Sequence, residues 1–262
     1  MTPIRGELPP LTSTRSVLAL MLREMGSTYG QSPGGYLWAI VQPVGIILIL
    51  ALGFSLLIKS PSLGTSFLLF YATGYLAYDL YNQLSKKILG ALTYSRAMLA
   101  YPRVIWLDAV LARFLLNTLT QITVFCIVIS GILVFDSTRT IITIQPILAG
   151  LAICAALGLG VGMMNCLLIG LFPVWKVIWG ILTRPMMIAS GVLFIYEDLP
   201  SFVQNILWWN PVLHATGLVR QGFYPTYHAS YVSIAYCMIV SMLLIAMGLL
   251  FLRAYNKKTM SR

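Results

Sequence analysis

The sequence predicts an all-α integral membrane protein with six transmembrane helices. An amino-terminal interfacial amphipathic helix, a short cytoplasmic helix and two short re-entrant helices before the last span complete it. Three observations predict this class. Apolar residues make up 59% of the 262 and charged residues only 9%, whereas soluble domains run at roughly 25% charged. Residues 36–58, 114–135, 147–172 and 229–252 hold no charge, and about 20 such residues suffice to cross the hydrocarbon. Two further runs, 65–85 and 177–196, hold one charge each, Asp79 and Arg184.

The elements follow in chain order. The first sixteen residues contain Arg5, Glu7 and three prolines, which excludes the apolar core of a secretory signal and predicts that the amino terminus stays as made. Residues 13–28 place Val17, Leu18, Met21, Leu22 and Met25 on one helical face, with Arg15, Ser16, Arg23 and Ser27 on the other. Such a helix lies in the interfacial plane or packs as a solvated arm on a partner.

Residues 36–58 are the first span. In the second, Phe67, Tyr71, Tyr75 and Tyr78 recur at helical spacing and form one stripe. Phenolic rings in line make either an aromatic track with polar tips or a helix-packing seam. The loop after it is too polar to enter lipid. Between Gly90 and Pro102 it carries helix formers and a short apolar face of Leu92, Met98 and Leu99, the pattern of a docking helix or of an ordinary solvated one.

Span three begins near Asp108 and Arg113, which are five residues apart and therefore each predicted to pair with another helix rather than with each other. Span four holds Gly158, Gly160 and Gly162, including a small-xxx-small spacing for close helix approach within the subunit or at a dimer seam. Span five carries Arg184 followed by Pro185. A cation at a span centre costs about 2.5–3.5 kcal/mol, so Arg184 is expected to face a polar path or an intramembrane carboxylate, Asp79 or Asp108. Pro185 removes one backbone hydrogen bond. The connection 197–228 holds three prolines and apolar pieces half the length of a span. It reads as two short helices dipping into the outer leaflet, with Trp208 and Trp209 at headgroup depth. There His214 and Arg220 either face an aqueous exit or satisfy backbone groups of the broken helices.

Orientation follows from charge. Twelve basic residues flank one side of the spans, among them Arg15, Arg23, Lys86, Lys87, Arg96, Arg103 and Lys176, against Lys59, Arg139 and Arg220 on the other. Short basic loops stay inside, so both termini are predicted to be cytoplasmic. The same asymmetry accounts for the net charge of +10, and a nucleic-acid partner is not needed to explain it. Cys126, Cys154, Cys166 and Cys237 are scattered through apolar spans, as packing residues rather than disulfides or metal ligands. Gly-Lys never occurs, so there is no Walker A loop, and neither H-E-x-x-H nor G-x-S-x-G is present. A secondary transporter would show internal repeats and several buried carboxylates, and a lipid-modifying enzyme a nucleophile beside a base. Neither pattern is visible.

The stretches YGQSPGGYLWAIVQPVGIILIL, YPRVIWLDAVLAR, LTRPMM and WNPVLHATGLVRQGFYPTY resemble, in this order, the membrane subunit of ABC-2 type polysaccharide exporters. The capsular polysaccharide export permeases of Gram-negative bacteria are the branch they are most similar to. The resemblance implies one transmembrane domain over residues 1–262, an inner-membrane location and a homodimer. It also implies two ATP-binding subunits holding ATP and magnesium, so that this chain itself is not an enzyme and carries no cofactor. Residues 91–101 would be the coupling helix, with Arg96, Met98, Leu99, Tyr101 and Pro102 at the ATPase contact. Residues 198–224 would be the outer-leaflet gate, with Trp208, Trp209, His214 and Arg220. The path residues would be Arg184, Phe67, Tyr71, Tyr75 and Tyr78, the cargo a lipid-linked, acidic polymer, and the receiver a periplasmic co-polymerase or export protein. Exporters of O-antigen, teichoic acid or lipo-oligosaccharide are the alternatives within the family.

Overall fold

A computed structural model describes residues 11–29, 34–95, 105–136 and 140–260, and every regular element among them is helical. The helices are α1 (Leu11–Tyr29), α2 (Gly35–Ser55), α3 (Phe67–Leu89), α4 (Ala91–Tyr94), α5 (Trp106–Phe135) and α6 (Ile144–Leu171). They continue with α7 (Trp175–Ala189), a single 3-10 turn at Tyr196–Asp198, α8 (Ser201–Leu207), α9 (Pro211–Phe223) and α10 (Ile234–Met260).

Among the described residues, four helices are long and apolar enough to cross a membrane: Leu37–Ser55, Trp106–Phe135, Ile144–Leu171 and Ile234–Tyr255. The other two expected crossings differ for separate reasons. α3 has the length, at 23 residues, but carries Asp79, Lys86 and Lys87 and a polar face. α7 has 15 residues, which at 1.5 Å each span about 22 Å of a hydrocarbon layer about 30 Å thick.

Local chemistry sets the boundaries. Ser66 caps α3, its Oγ accepting from the Leu69 N–H at 3.2 Å, and its hydroxyl also donates to the Asp136 carboxylate at the end of α5. α5 starts eight residues before the charge-free run does. Its first turn holds Asp108, whose carboxylate reaches back to the Ile105 N–H at 3.1 Å and complements the helix dipole.

α6 is the axis of the bundle. Over half of its apolar window is buried (56%), against at most 22% in the other three crossing helices. Its glycines face inward: a Cβ on Gly158 would stand 2.8 Å from Leu84 Cβ, and one on Gly162 2.7 Å from Ile88 Cβ, both on α3. One on Gly160 would stand 2.8 Å from Leu244 Cβ on α10. The small-residue seam therefore closes contacts within one chain, and α3, α6 and α10 run parallel. Cys154, Cys166 and Cys237 are buried free thiols in this packing, and Cys126 is exposed.

α1 has three faces, not two. Val17, Leu20 and Glu24 are buried, and Val17 and Leu20 pack on Ala109 and Ala112 of α5. Leu18, Leu22 and Met25 are exposed, so the single apolar face expected from the sequence divides between a partner helix and the surroundings.

Candidate functional site

The face of α3 that carries the tyrosine stripe continues as a polar ladder. Tyr75, Tyr78, Asp79, Asn82, Gln83 and Lys86 line a cavity of about 440 Å3, closed on one side by Gln42 and Ile46 of α2. On the other side stand Gly180, Thr183, Arg184 and Met187 of α7. Gln42, Lys86, Gly180 and Arg184 are exposed at its rim. Two larger cavities, of about 510 and 470 Å3, lie in the cleft of α2 and α5 and are lined mainly by aliphatic side chains, which offer nothing to a polar cargo.

Three of the five expected path residues meet here and two do not. Tyr75 and Tyr78 reach the cavity with Arg184, and the Tyr78 hydroxyl donates to the Thr183 carbonyl at 3.3 Å. Tyr71 is 2% exposed and packs against Phe54, Phe67 and Phe70 with ring centroids 5.2–6.4 Å apart; neither it nor Phe67 lines the cavity. Asp79 is buried, with Gln83 Nε2 donating to its Oδ1 at 3.3 Å. Arg184 makes no ion pair with Asp79 or Asp108 among the described residues.

α7 is loosely held. None of its residues is buried, and Val177, Ile178, Ile181, Leu182 and Ile188 are exposed. The Trp175 Nε1 donates to Asn165 Oδ1 of α6 at 2.8 Å, and the Tyr78 hydroxyl bonds its middle.

Helix α7 runs through Pro185 and stops at Ala189, seven residues short of the apolar run, where the chain turns through Gly191 at φ +71°. Only glycine takes that conformation readily. Backbone carbonyls freed at such a break need donors when water is excluded, and α9 with its cap supplies them. Asn210 Nδ2 donates to Ala189 O at 2.9 Å and the Thr216 hydroxyl to Ser190 O at 2.8 Å. Arg220 Nη2 donates to Val192 O at 2.9 Å and Nη1 to Phe194 O at 2.7 Å. The Arg220 guanidinium also lies 4.2 Å above the centre of the Phe70 ring. Gly74 leaves the room for it, since a Cβ there would sit 2.7 Å from Nη2. Arg220 is 2% exposed, so within this chain it holds backbone and presents no charge to a cargo.

The other expected gate residues form the latch between this hairpin and α10. His214 is fully buried. The Ser233 N–H donates into its Nδ1 at 3.2 Å, which puts the ring proton on Nε2, 2.7 Å from the Trp208 carbonyl it donates to. Trp208 stacks on Tyr236 at 5.1 Å, and its Nε1 donates to Tyr231 O at 3.1 Å. Trp209 is 67% exposed. Burial holds the His214 imidazole below its ordinary pKa, with the hydrogen bond to Trp208 O acting the other way.

At the opposite end, Arg113 does pair with another helix, as its spacing from Asp108 predicts. Its Nε stands 3.2 Å from Glu24 Oε2 of α1. Arg96, Met98, Leu99, Tyr101 and Pro102 lie outside the described residues; of the expected 91–101 helix, the part described is α4 and Ser95.

The sequence reading missed Gln42, Asn82, Gln83 and Lys86 in the cavity, Glu24 as the partner of Arg113, and Gly74 behind Arg220. Asn82 and Lys86 were findable, because they extend the stripe of Tyr75 and Tyr78 by further helical steps. Gln42, Glu24 and Gly74 depend on contacts between helices.

Comparison with known proteins fits this geometry. The family model described as ABC-2 type transporter matches residues 15–224. The chain is 28% identical over 236 residues to the polysialic acid transport protein KpsM of Escherichia coli, covering 89% of this chain and 91% of that protein. It is 26% identical over 247 residues to the capsule polysaccharide export inner-membrane protein BexB of Haemophilus influenzae, covering 93% and 92%. It is likewise 26% identical over 248 residues to the capsule polysaccharide export inner-membrane protein CtrC of Neisseria meningitidis serogroup B, covering 93% and 92%. A match over most of the chain, together with this all-helical membrane fold, makes the chain a member of the ABC-2 type transporter family.

Proposed function

We propose that this chain is the permease subunit of an ATP-driven exporter that moves capsular polysaccharide, lipid-linked and acidic, outward across the bacterial inner membrane. Two copies enclose the path, and two ATP-binding subunits carrying ATP and magnesium drive it from the cytoplasmic side. In this reading α2, α3, α5, α6, α7 and α10 make six crossings, and α7 tolerates its short length because the hairpin of α8 and α9 continues its layer. Both termini are cytoplasmic. Residues 91–101, with Arg96, Met98, Leu99, Tyr101 and Pro102, dock on the ATPase, and a periplasmic export protein receives the polymer.

One observation carries the reading. The polar cavity of Tyr75, Tyr78, Asp79 and Arg184 has an exposed rim on α7, a helix without a single buried residue. Lipid can cover its apolar side chains, but a charged rim in lipid is costly, and a second copy placed there converts a half-open polar groove into a conduit. Phenol rings offer flat faces to sugar rings, and an unpaired guanidinium offers a bidentate grip on the phosphate of a lipid linkage or on a carboxylate. Family membership and the capsule-export relatives support the same cargo class.

Purification from its native membranes, with any bound ATP-binding subunit identified by mass, tests the proposal. The expected result is a complex with two copies of each subunit whose ATP hydrolysis rises when capsular polymer is supplied. A chain that purifies alone as a monomer, with no ATPase bound, overturns it.

A further inference from the structure

Arg113 lies about two turns inside α5 and is only 7% exposed, with Glu24 at 4%. Its planar guanidinium serves three other elements at once. Nη1 donates at 2.6 Å to the carbonyl of Lys87, one of the last four carbonyls of α3, which have no partner inside the helix. Nε faces Glu24 of α1 at 3.2 Å, as an ion pair not aligned for a hydrogen bond. Its carbon lies 4.2 Å from the centre of the Tyr94 ring, at the end of α4. Tyr94 is held twice more from α1: Arg23 lies 5.5 Å from the same ring centre, and Ser27 shares a hydrogen bond with the phenol. Gly90 keeps the corner open, since a Cβ there would stand 3.3 Å from Arg113 Nη1.

A buried ion pair adds little net stability, because desolvation offsets its attraction. Its better-attested use is to fix register. Here it ties α4, whose Ala91 and Leu92 sit in the main core, to α1 and α5, which meet each other on a separate apolar patch of Val17, Leu20, Ala109 and Ala112. The patch under α1 lies outside the main core, so the contacts of Arg113 and Tyr94 connect α1 to α4 and, through α4, to that core.

We propose that Glu24, Arg113 and Tyr94 form a rigid joint that passes movement of α4 to α1 and to span α5, so that ATP hydrolysis on a partner subunit does work on the path. This rests on the exporter reading above. Arg113 is a positioning residue and does not line the cavity. Lysine keeps its charge but cannot reach a carbonyl, a carboxylate and a ring face together.

The test uses the complete complex with its ATP-binding subunits, comparing wild type, Arg113→Lys, Tyr94→Leu and Tyr94→Phe. Complex yield, ATP hydrolysis and polymer secretion are measured side by side. Arg113→Lys and Tyr94→Leu are expected to keep the complex and its basal hydrolysis within about twofold while secretion falls about tenfold or more, the scale of an allosteric coupling. Tyr94→Phe keeps the ring and is expected to secrete close to wild type. Wild-type secretion by Tyr94→Leu overturns the joint, and so does a fall in secretion that only tracks the loss of complex; Tyr94→Leu decides the matter if Arg113→Lys does not fold. A wild-type chain that brings down no ATP-binding subunit overturns the exporter reading, and the joint with it.

Discussion

Arg220 and Arg184 both interrupt apolar sequence close to a proline, and the fold treats them in opposite ways. Arg220, inside α9, faces the break where α7 has ended, amid carbonyls that have lost their partners, and donates to two of them while its face rests on Phe70. Arg184 sits inside α7, where the helix bonds its own carbonyls, and the guanidinium is left exposed at the rim of a polar cavity. What decides the fate of a cation in an apolar segment is therefore the local supply of unpaired backbone acceptors. Where acceptors are free, the cation becomes structure. Where the helix has consumed them, it remains available to something else.

The largest effect is expected at Arg220. Arg220→Met keeps the bulk and strips the donors from Val192 and Phe194, and each buried carbonyl left unmet costs about 1–3 kcal/mol. The folded fraction in detergent, followed by size exclusion and thermal melting, should fall sharply. Gly74→Ala is a milder probe of the same clamp, because its new methyl meets Nη2 and the Val192 backbone; its melting temperature should fall between the two. An Arg220→Met protein that melts like wild type breaks the comparison from the structural side.

Arg184→Leu sharpens it from the other side. No hydrogen bond or ion pair within the described residues depends on that guanidinium, so melting should shift by no more than a degree or two while surface polymer drops to background. Arg184→Lys keeps a charge without the bidentate grip and should retain part of the export. Normal surface polymer in Arg184→Leu would mean that the exposed cation does not act on the cargo.

Much of this contrast was legible in the sequence. Arg184 and Pro185 announced an unusual span, the three glycines of α6 announced close approach, and the prolines at 200, 211 and 225 announced short helices. Less was legible wherever a partner had to be known. The seam of Gly158 and Gly162 runs along α3 and that of Gly160 along α10, which spacing within one helix does not reveal. The run 177–196 reads as one unbroken span because Ser190 and Gly191 are mild interruptions by composition. Only the donors waiting on Asn210, Thr216 and Arg220 make it favourable for the helix to stop at Ala189. Glu24 escaped because a two-face division of α1 puts it on the polar side, whereas the helix has a third face turned toward Arg113.

The smallest effect is expected at His214, which belongs with Arg220 on the structural side of the comparison but titrates where Arg220 does not. Its Nδ1 accepts from the Ser233 N–H, and protonation would set two donors against each other at that contact. Burial accordingly holds the folded pKa below the unfolded value of about 6.5. The sign follows from proton counts: below about 6.5 the unfolded chain binds a proton that the folded latch refuses, so stability falls as pH falls. Above that value the contribution is complete and flat. Melting temperature should therefore be level from about pH 7 upward and decline as pH drops from about 6.5 toward the depressed folded value. His214→Gln keeps hydrogen-bonding ability without the titration and should remove that component of the slope. An equally steep acid slope in His214→Gln would assign the effect to the carboxylates and take His214 out of the latch.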